Sequence, residues 1–151
     1  MSSILTKVHW LPSTHEYGGA CIHIEDSVHI YIDPASLRES HNLPKADFIL
    51  VTHPHSDHFD LNTMNVLRKT DTVFVFGYDW IHLLSEKPSF SHILEIKSRE
   101  SLTFDHLIIT AIPAYSRIAH PKENGGIGYL IRCSLGTIYH SGDSSFIPEM
   151  T

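Results

Sequence analysis

The feature that most constrains the fold is a continuous apolar run that leads directly into a cluster of histidines and aspartates. Residues 46–52 (ADFILVT) are apolar almost throughout, a pattern typical of a strand buried on both faces. The next eight residues, HPHSDHFD, contain three histidines and two aspartates. Because sites in open sheets usually lie at the carboxyl ends of strands, we predict that this cluster is a binding site rather than a surface loop.

Short β-branched runs between Pro, Gly, Asp and Ser residues indicate many short strands and few helices. The predicted strands span residues 4–11, 20–25, 28–33, 46–52, 72–77, 93–97, 101–104, 107–113, 127–133 and 137–141. Helices are predicted over 61–69, with Asp60 as the N-cap, and over 80–85. Alternation in residues 28–33 predicts a half-buried strand. The pattern favours an α/β protein with much antiparallel sheet, as one domain over residues 1–151.

Composition narrows the possible functional classes. The net charge of -6 offers no basic surface for DNA or RNA. No apolar run approaches the roughly 18 residues of a membrane span, and the N-terminus lacks the apolar segment of a secretory signal. Cys21 and Cys133 are too few and too far apart to suggest a disulfide framework. We therefore expect a cytoplasmic protein that does not bind DNA.

The spacing within the polar cluster is typical of a metal site. Residues two apart in an extended segment point the same way, so His53 and His55 can converge on one point. Asp57 and His58 follow as the next helix begins and could meet a second point nearby. Imidazole and carboxylate groups are ligands of zinc, iron and manganese. We predict one or two Zn2+ ions as the cofactor, with Mn2+ or Fe2+ as alternatives.

The segment THPHSDHFD resembles the H-x-H-x-D-H signature of the metallo-β-lactamase-fold superfamily of metal-dependent hydrolases. Other family marks follow in the family's order: Asp33 in YIDP, His120 in AYSRIAHPKENGGIGYLI and Asp143 in IYHSGDSSFIPEM. The last two phrases are most similar to the branch related to ascorbate-6-phosphate lactonase. The resemblance runs from about Lys7 to the last residue and implies a four-layered αββα sandwich.

The resemblance also implies roles for individual residues. It implies that the metal ligands are His53, His55 and His120 at the first ion, Asp57 and His58 at the second, and Asp143 between both. A hydroxide between the ions would be the nucleophile, and Asp57 would be a catalytic residue that orients it and passes a proton to the leaving group. Asp33 would shape the metal loop without binding metal. Tyr115 and His140 are candidates for contact with the substrate or with the ligands.

The chain departs from the family pattern after Asp143. The family's last ligand, a histidine from its C-terminal half, has no counterpart in this sequence, and neither have the strands and helices that cover the second sheet. The resemblance therefore implies a C-terminally incomplete domain with an exposed sheet. We expect a homo-oligomer, or the missing C-terminal half, to cover that sheet, and the second ion to be weakly bound or absent.

These observations predict a metal-dependent hydrolase of a small ester, lactone, amide or phosphoester, with a small-molecule substrate as its partner. Two alternatives stay open. The chain could be a non-catalytic metal-binding or interaction protein of the same fold, or a phosphodiesterase acting on nucleic acid or phospholipid headgroups. The fold hosts many activities, so the resemblance alone does not select a substrate.

Overall fold

A computed structural model describes residues 7–82, 84 and 88–150, which form two β-sheets flanked by two short α-helices. The strands are β1 (Val8–Pro12), β2 (Ala20–Glu25), β3 (His29–Ile32), β4 (Ala46–Val51), β5 (Arg68–Gly77), β6 (Ile93–Ile96), β7 (Ser101–Phe104), β8 (Leu107–Pro113), β9 (Ile127–Cys133) and β10 (Gly136–His140). The α-helices are α1 (Leu61–Leu67) and α2 (Tyr78–Ile81). Single 3-10 turns cover Ser40–Asn42, Lys122–Asn124 and Pro148–Met150.

The two sheets differ in strand direction. The first has the order β1-β2-β3-β4-β5-β6; its β1, β2 and β3 are antiparallel, and β3 to β6 are parallel. The second has the order β10-β9-β8-β7 and is antiparallel throughout. Parallel strands aligned side by side bring their carboxyl ends to one edge of the sheet. The predicted α/β class with an antiparallel portion is confirmed.

Two apolar clusters arrange these elements in layers. The cluster between the sheets includes Ile24, Ile30 and Leu50 from the first sheet and Ile109, Tyr129 and Ile131 from the second. The other lies on the far face of the first sheet, where Met64 and Leu67 of α1 and Trp80 of α2 pack. In the described part of the chain both α-helices thus cover the first sheet, giving the layer order helices, sheet, sheet.

The prediction that the strand over 28–33 is half-buried was wrong, because both faces of β3 are covered. Ile30 and Ile32 face the second sheet, while Tyr31 is fully buried on the helix side. The Tyr31 ring stacks on His23 with centroids 4.3 Å apart, and its hydroxyl donates to the carbonyl of Pro44 at 2.8 Å. A hydroxyl satisfied in this way lets a tyrosine occupy a core position.

The start of α1 was predicted correctly from residues close to it in the sequence. Asp60 is its N-cap, as predicted, and accepts hydrogen bonds from the backbone N–H groups of Asn62 and Thr63. The helix ends at Leu67, two residues early, because β5 begins at Arg68 and pairs with β4. Of the helix predicted over 80–85, residues 83 and 85 lie outside the described residues, as do 4–6 of the first predicted strand. No described helix has the length and apolarity that a membrane crossing would require.

Candidate metal centre

The polar cluster lies where the ends of several strands meet. Asp33 directly follows β3 and Thr52 directly follows β4, which are parallel neighbours. The loop from β8 to β9 supplies His120, and the turn after β10 supplies Asp143. The backbone N–H of Ile127 donates to the carbonyl of Thr52 at 3.0 Å, which fixes the second sheet against this edge of the first.

Three histidines converge in the first group of possible metal ligands. One ring nitrogen from each of His53, His55 and His120 lies within 4.8 Å of the others. Nδ1 of His55 and Nε2 of His120 are 3.0 Å apart. Because His55 and His120 come from different loops, only the packing of the two sheets brings these nitrogen atoms together.

His53 has the environment expected of a metal ligand. Its side chain is buried, and its Nε2 has no hydrogen-bond partner. A buried nitrogen without a partner costs about 1 to 3 kcal/mol, so proteins seldom keep one without a use. Burial and the adjacent His58 lower the pKa of His53 to about 4. The imidazole is therefore neutral at pH 7, the form that binds a cation.

A second group combines His53 with His58 and Asp143, again with ligand atoms within 4.8 Å of one another. Nε2 of His58 is 3.2 Å from Oδ1 of Asp143 and 3.5 Å from Oδ2 of Asp57. Oδ2 of Asp143 also lies 3.5 Å from Nε2 of His120, so this carboxylate faces both groups. All six residues predicted as ligands are thus brought together, although Asp57 is outside both groups.

Hydrogen bonds govern the charges in the second group. Burial opposes a charge on His58, but bonds to Asp143 and Asp33 outweigh it and raise the pKa of His58 to about 10. The bond to His58 in turn lowers the pKa of Asp143 to about 2. A cation bound to Nε2 of His58 must displace the proton there, so its binding depends on pH.

Asp33 holds the candidate ligands in place but is not a member of either group. Its Oδ1 accepts from the backbone N–H of Thr52 at 2.7 Å. Its Oδ2 accepts from Oγ1 of Thr52 at 2.7 Å and lies 2.8 Å from Nδ1 of His58. Asp33 adopts a left-handed φ of 52°, a strained conformation that persists where surrounding contacts enforce it.

Sequence reasoning missed two residues that orient ligands and one that leaves room for them. Thr52 lies 2.9 Å from Nδ1 of His53, and Ser116 accepts from the backbone N–H of His120 at 3.1 Å. A Cβ at Gly126 would lie 2.9 Å from the carbonyl oxygen of Ala114 and 3.9 Å from Cβ of His53. Only the position of Thr52, directly before the cluster, gave a signal in the sequence.

The two remaining candidates, Tyr115 and His140, contact neighbouring loops instead. The Tyr115 hydroxyl donates to Oε2 of Glu149 at 2.7 Å. Nδ1 of His140 accepts from the backbone N–H of Gly142 at 3.0 Å. Gly142 has a φ of 56°, so this bond supports the tight turn that presents Asp143.

The donor atoms fit a divalent transition-metal ion. Three imidazoles with a further open position are characteristic of catalytic zinc, and carboxylates beside them suit a second cation. The unpartnered Nε2 of His53 is the atom that such an ion would satisfy.

Comparison with known proteins gives concordant matches. The family model described as a beta-lactamase superfamily domain matches residues 27–151. A UPF0173 metal-dependent hydrolase from Thermococcus kodakarensis is 30% identical over 142 residues, 88% of this chain and 62% of that protein. A UPF0173 protein from Pyrococcus furiosus is 28% identical over 135 residues, 89% of this chain and 61% of that protein. The chain therefore spans less than two thirds of the length of these relatives.

Two of the similar solved structures share the fold. One, described as a metal-dependent hydrolase from Parabacteroides distasonis, superposes with a TM-score of 0.70 at 24% identity, covering 95% of this chain and 70% of that one. The other, a metallo hydrolase from Ignicoccus hospitalis, has a TM-score of 0.68 at 21% identity and covers 95% and 63%.

Proposed function

The chain belongs to the beta-lactamase superfamily, and from that premise we propose that the protein is a metal-dependent hydrolase whose centre is built on His53, His55 and His120. The observation that carries this proposal is the buried Nε2 of His53, which has no partner and points into a group of converging imidazole nitrogens. The similar UPF0173 proteins described as metal-dependent hydrolases support it.

We infer zinc as the metal, because the first group is made of imidazoles alone; manganese favours more oxygen ligands. When bound, such an ion supplies hydroxide at neutral pH and a positive charge for the oxygen anion that develops on the substrate. The substrates we infer are small esters, lactones, amides or phosphoesters, whose hydrolysis this chemistry serves.

The chain's own residues supply orientation and proton transfer. Thr52 and Asp33 fix the His53 ring, and Asp33 also fixes the His58 ring. Asp57 is only partly buried, so its carboxylate can accept a proton from water and give it to a leaving group. Ser116 holds the backbone of His120.

Metal analysis tests the centre. We expect about one zinc per chain in the wild type and little in His53→Ala and His120→Ala. His41→Ala is the matched control, because His41 is exposed in the 3-10 turn at Ser40–Asn42. Equal metal content in all four proteins would contradict the proposed centre.

Hydrolysis of aryl esters and bis-aryl phosphates, with and without added zinc, tests the activity. We expect metal-dependent turnover that falls by at least tenfold in Asp57→Asn, since general acid–base groups typically contribute 10²- to 10⁴-fold. Metal binding without turnover of either class would favour a non-catalytic protein. Turnover of the phosphates alone would favour a phosphodiesterase.

A further inference from the structure

A cavity of about 600 Å³ lies beside the metal centre. One wall is formed by residues 115–119, which lead to His120, and the other by residues 145–148, which follow Asp143. The volume is within the range of roughly 300 to 1,000 Å³ found for small-molecule sites. The cavity is therefore large enough to hold a substantial part of a substrate.

Hydrogen bonds join both walls to each other and to the centre. The backbone N–H of Ser145 donates to the carbonyl of Tyr115 at 3.0 Å. The hydroxyl of the adjacent Ser144 accepts a hydrogen bond from the backbone N–H of Tyr115. Ser116, in the first wall, lies 3.4 Å from Nδ1 of His120. A molecule that fills the cavity thus lies against the residue that holds a ligand imidazole.

The chemistry of the walls favours an apolar group. Ile118 and Phe146 are 95% and 81% exposed, and each contributes to the lining. One exposed apolar side chain is ordinary, but two large ones around a single cavity beside a candidate centre mark a binding surface. Their exposure would decrease if a hydrocarbon or aromatic group occupied the cavity.

The charges around the cavity disfavour a cationic occupant. Among the described lining residues Arg117 is the only charged one. The nearby carboxylate of Glu149 is engaged elsewhere: the Tyr115 hydroxyl donates to it at 2.7 Å and Lys122 at 2.8 Å. The cavity is therefore neutral to positive, which suits a neutral or anionic ligand.

We propose that this cavity binds the apolar part of the substrate, so that the substrate is a neutral or anionic ester, amide or phosphoester that carries an alkyl or aryl group. The inference rests on the proposed hydrolase function, because it places the scissile group at the metal centre. It adds that specificity resides in Ile118 and Phe146, which do not belong to the ligand set.

Binding of alkyl hydroxamates to the zinc-loaded protein, measured by calorimetry, tests the inference. The hydroxamate group chelates zinc in every compound, and only the hydrocarbon varies, from acetyl through butanoyl and hexanoyl to octanoyl. Burying one methylene contributes about 0.8 kcal/mol, or about fourfold in affinity. In a half-open cavity we expect affinity to rise about two- to fourfold per methylene.

Ile118→Ser and Phe146→Ser should lower this gain per methylene, so their affinity for octanohydroxamate should fall far more than their affinity for acetohydroxamate. Both side chains are exposed, so the variants should fold, which thermal unfolding checks. Tyr139→Ser is the matched control, because Tyr139 is an exposed aromatic residue outside the cavity, and it should keep the wild-type gain.

Three results would overturn this inference and leave the proposed function standing. Acetohydroxamate could bind while chain length has no effect on affinity, or both serine variants could keep the full gain per methylene. In the third, Phe146→Ser dissociates a dimer and the wild type shows no gain. The last result would make the surface an interface between two copies of the chain. If acetohydroxamate itself does not bind the zinc-loaded protein, the proposed function is rejected and this inference with it.

Discussion

Oγ1 of Thr52 lies 2.9 Å from Nδ1 of His53 and donates its own proton to the carboxylate of Asp33. Since the hydroxyl proton is committed to Asp33, the Thr52 oxygen must accept the proton of Nδ1. In the neutral ring this leaves Nε2 with its lone pair free, and Nε2 is the buried atom without a partner. A side chain next to the cluster thereby selects the tautomer in which Nε2 is available to a metal ion.

Thr52→Val should weaken zinc binding. The valine has nearly the same shape but cannot accept from Nδ1, so His53 loses the bond that fixes its tautomer. Partners of this kind are worth 10- to 100-fold in metal affinity, and we expect a loss in that range. Competition with a chelator measures it. Thr52→Ser retains the hydroxyl and should bind zinc like the wild type; equal weakening in both variants would refute this role for the hydroxyl.

Asp33→Asn should destabilise the metal-free protein. Asparagine tolerates the left-handed φ of 52°, so the backbone is preserved. The substitution removes the charge that accepts from Thr52 and faces His58, and breaking a buried pair of this kind costs about 3 kcal/mol. Urea unfolding measures the change, and NMR titration should show a lower pKa for His58. Asp71→Asn, at an exposed position, should have no effect; similar losses in both variants would contradict the assignment.

Because His23 is hard to protonate in the folded protein, it should make the folded state less stable in mild acid. Burial, followed by the adjacent His29 and His9, lowers the pKa of His23 to about 4 from 6.5, with Glu25 opposing. The unfolded chain therefore takes up this proton first as pH falls, so stability is lost between about pH 6.5 and pH 4. At about 1.4 kcal/mol per pKa unit, the loss is about 2 to 3 kcal/mol.

The His23→Gln variant isolates that contribution, because glutamine can still hydrogen-bond to His29 but does not titrate. Its free energy of unfolding, measured by urea denaturation at several pH values, should fall less than that of the wild type between pH 6.5 and 4. Parallel curves for the two proteins would assign the acid sensitivity to other groups.

Tyr129→Phe should weaken the packing of the two sheets. The buried Tyr129 hydroxyl lies 2.7 Å from the carbonyl oxygen of Val51 and 3.1 Å from that of Val75. Removing it leaves buried carbonyls without this donor, a loss of about 1 to 2 kcal/mol in the free energy of unfolding. Thermal or urea unfolding measures it, with the exposed Tyr139→Phe as the control. A wild-type value for Tyr129→Phe would mean that the hydroxyl bonds add nothing net.

The elements that the sequence specified are those whose signals are local. The apolar run of β4, the cap at Asp60 and the candidate ligands from His53 to His58 all lie within short segments, where periodicity and residue types are sufficient to predict them. Many of the predicted boundaries differ from the observed ones by one to four residues, most clearly at β5, which begins at Arg68 rather than 72. There, pairing with β4 outweighs the local preference of residues 68–71.

The completed site was decided by tertiary structure. His120 lies 65 residues after His55, and the sequence indicated its role only through a family resemblance. The sequence did not show that Asp33, Thr52 and His53 are joined by buried hydrogen bonds, that both faces of β3 are covered, or that a cavity lies beside Phe146. The hydrophobic periodicity of a sequence indicates which side of its own helix or strand a residue faces. Which distant side chain it meets is set by how the two sheets pack, and that packing brings His120 and Asp143 to the candidate ligands from residues 53–58.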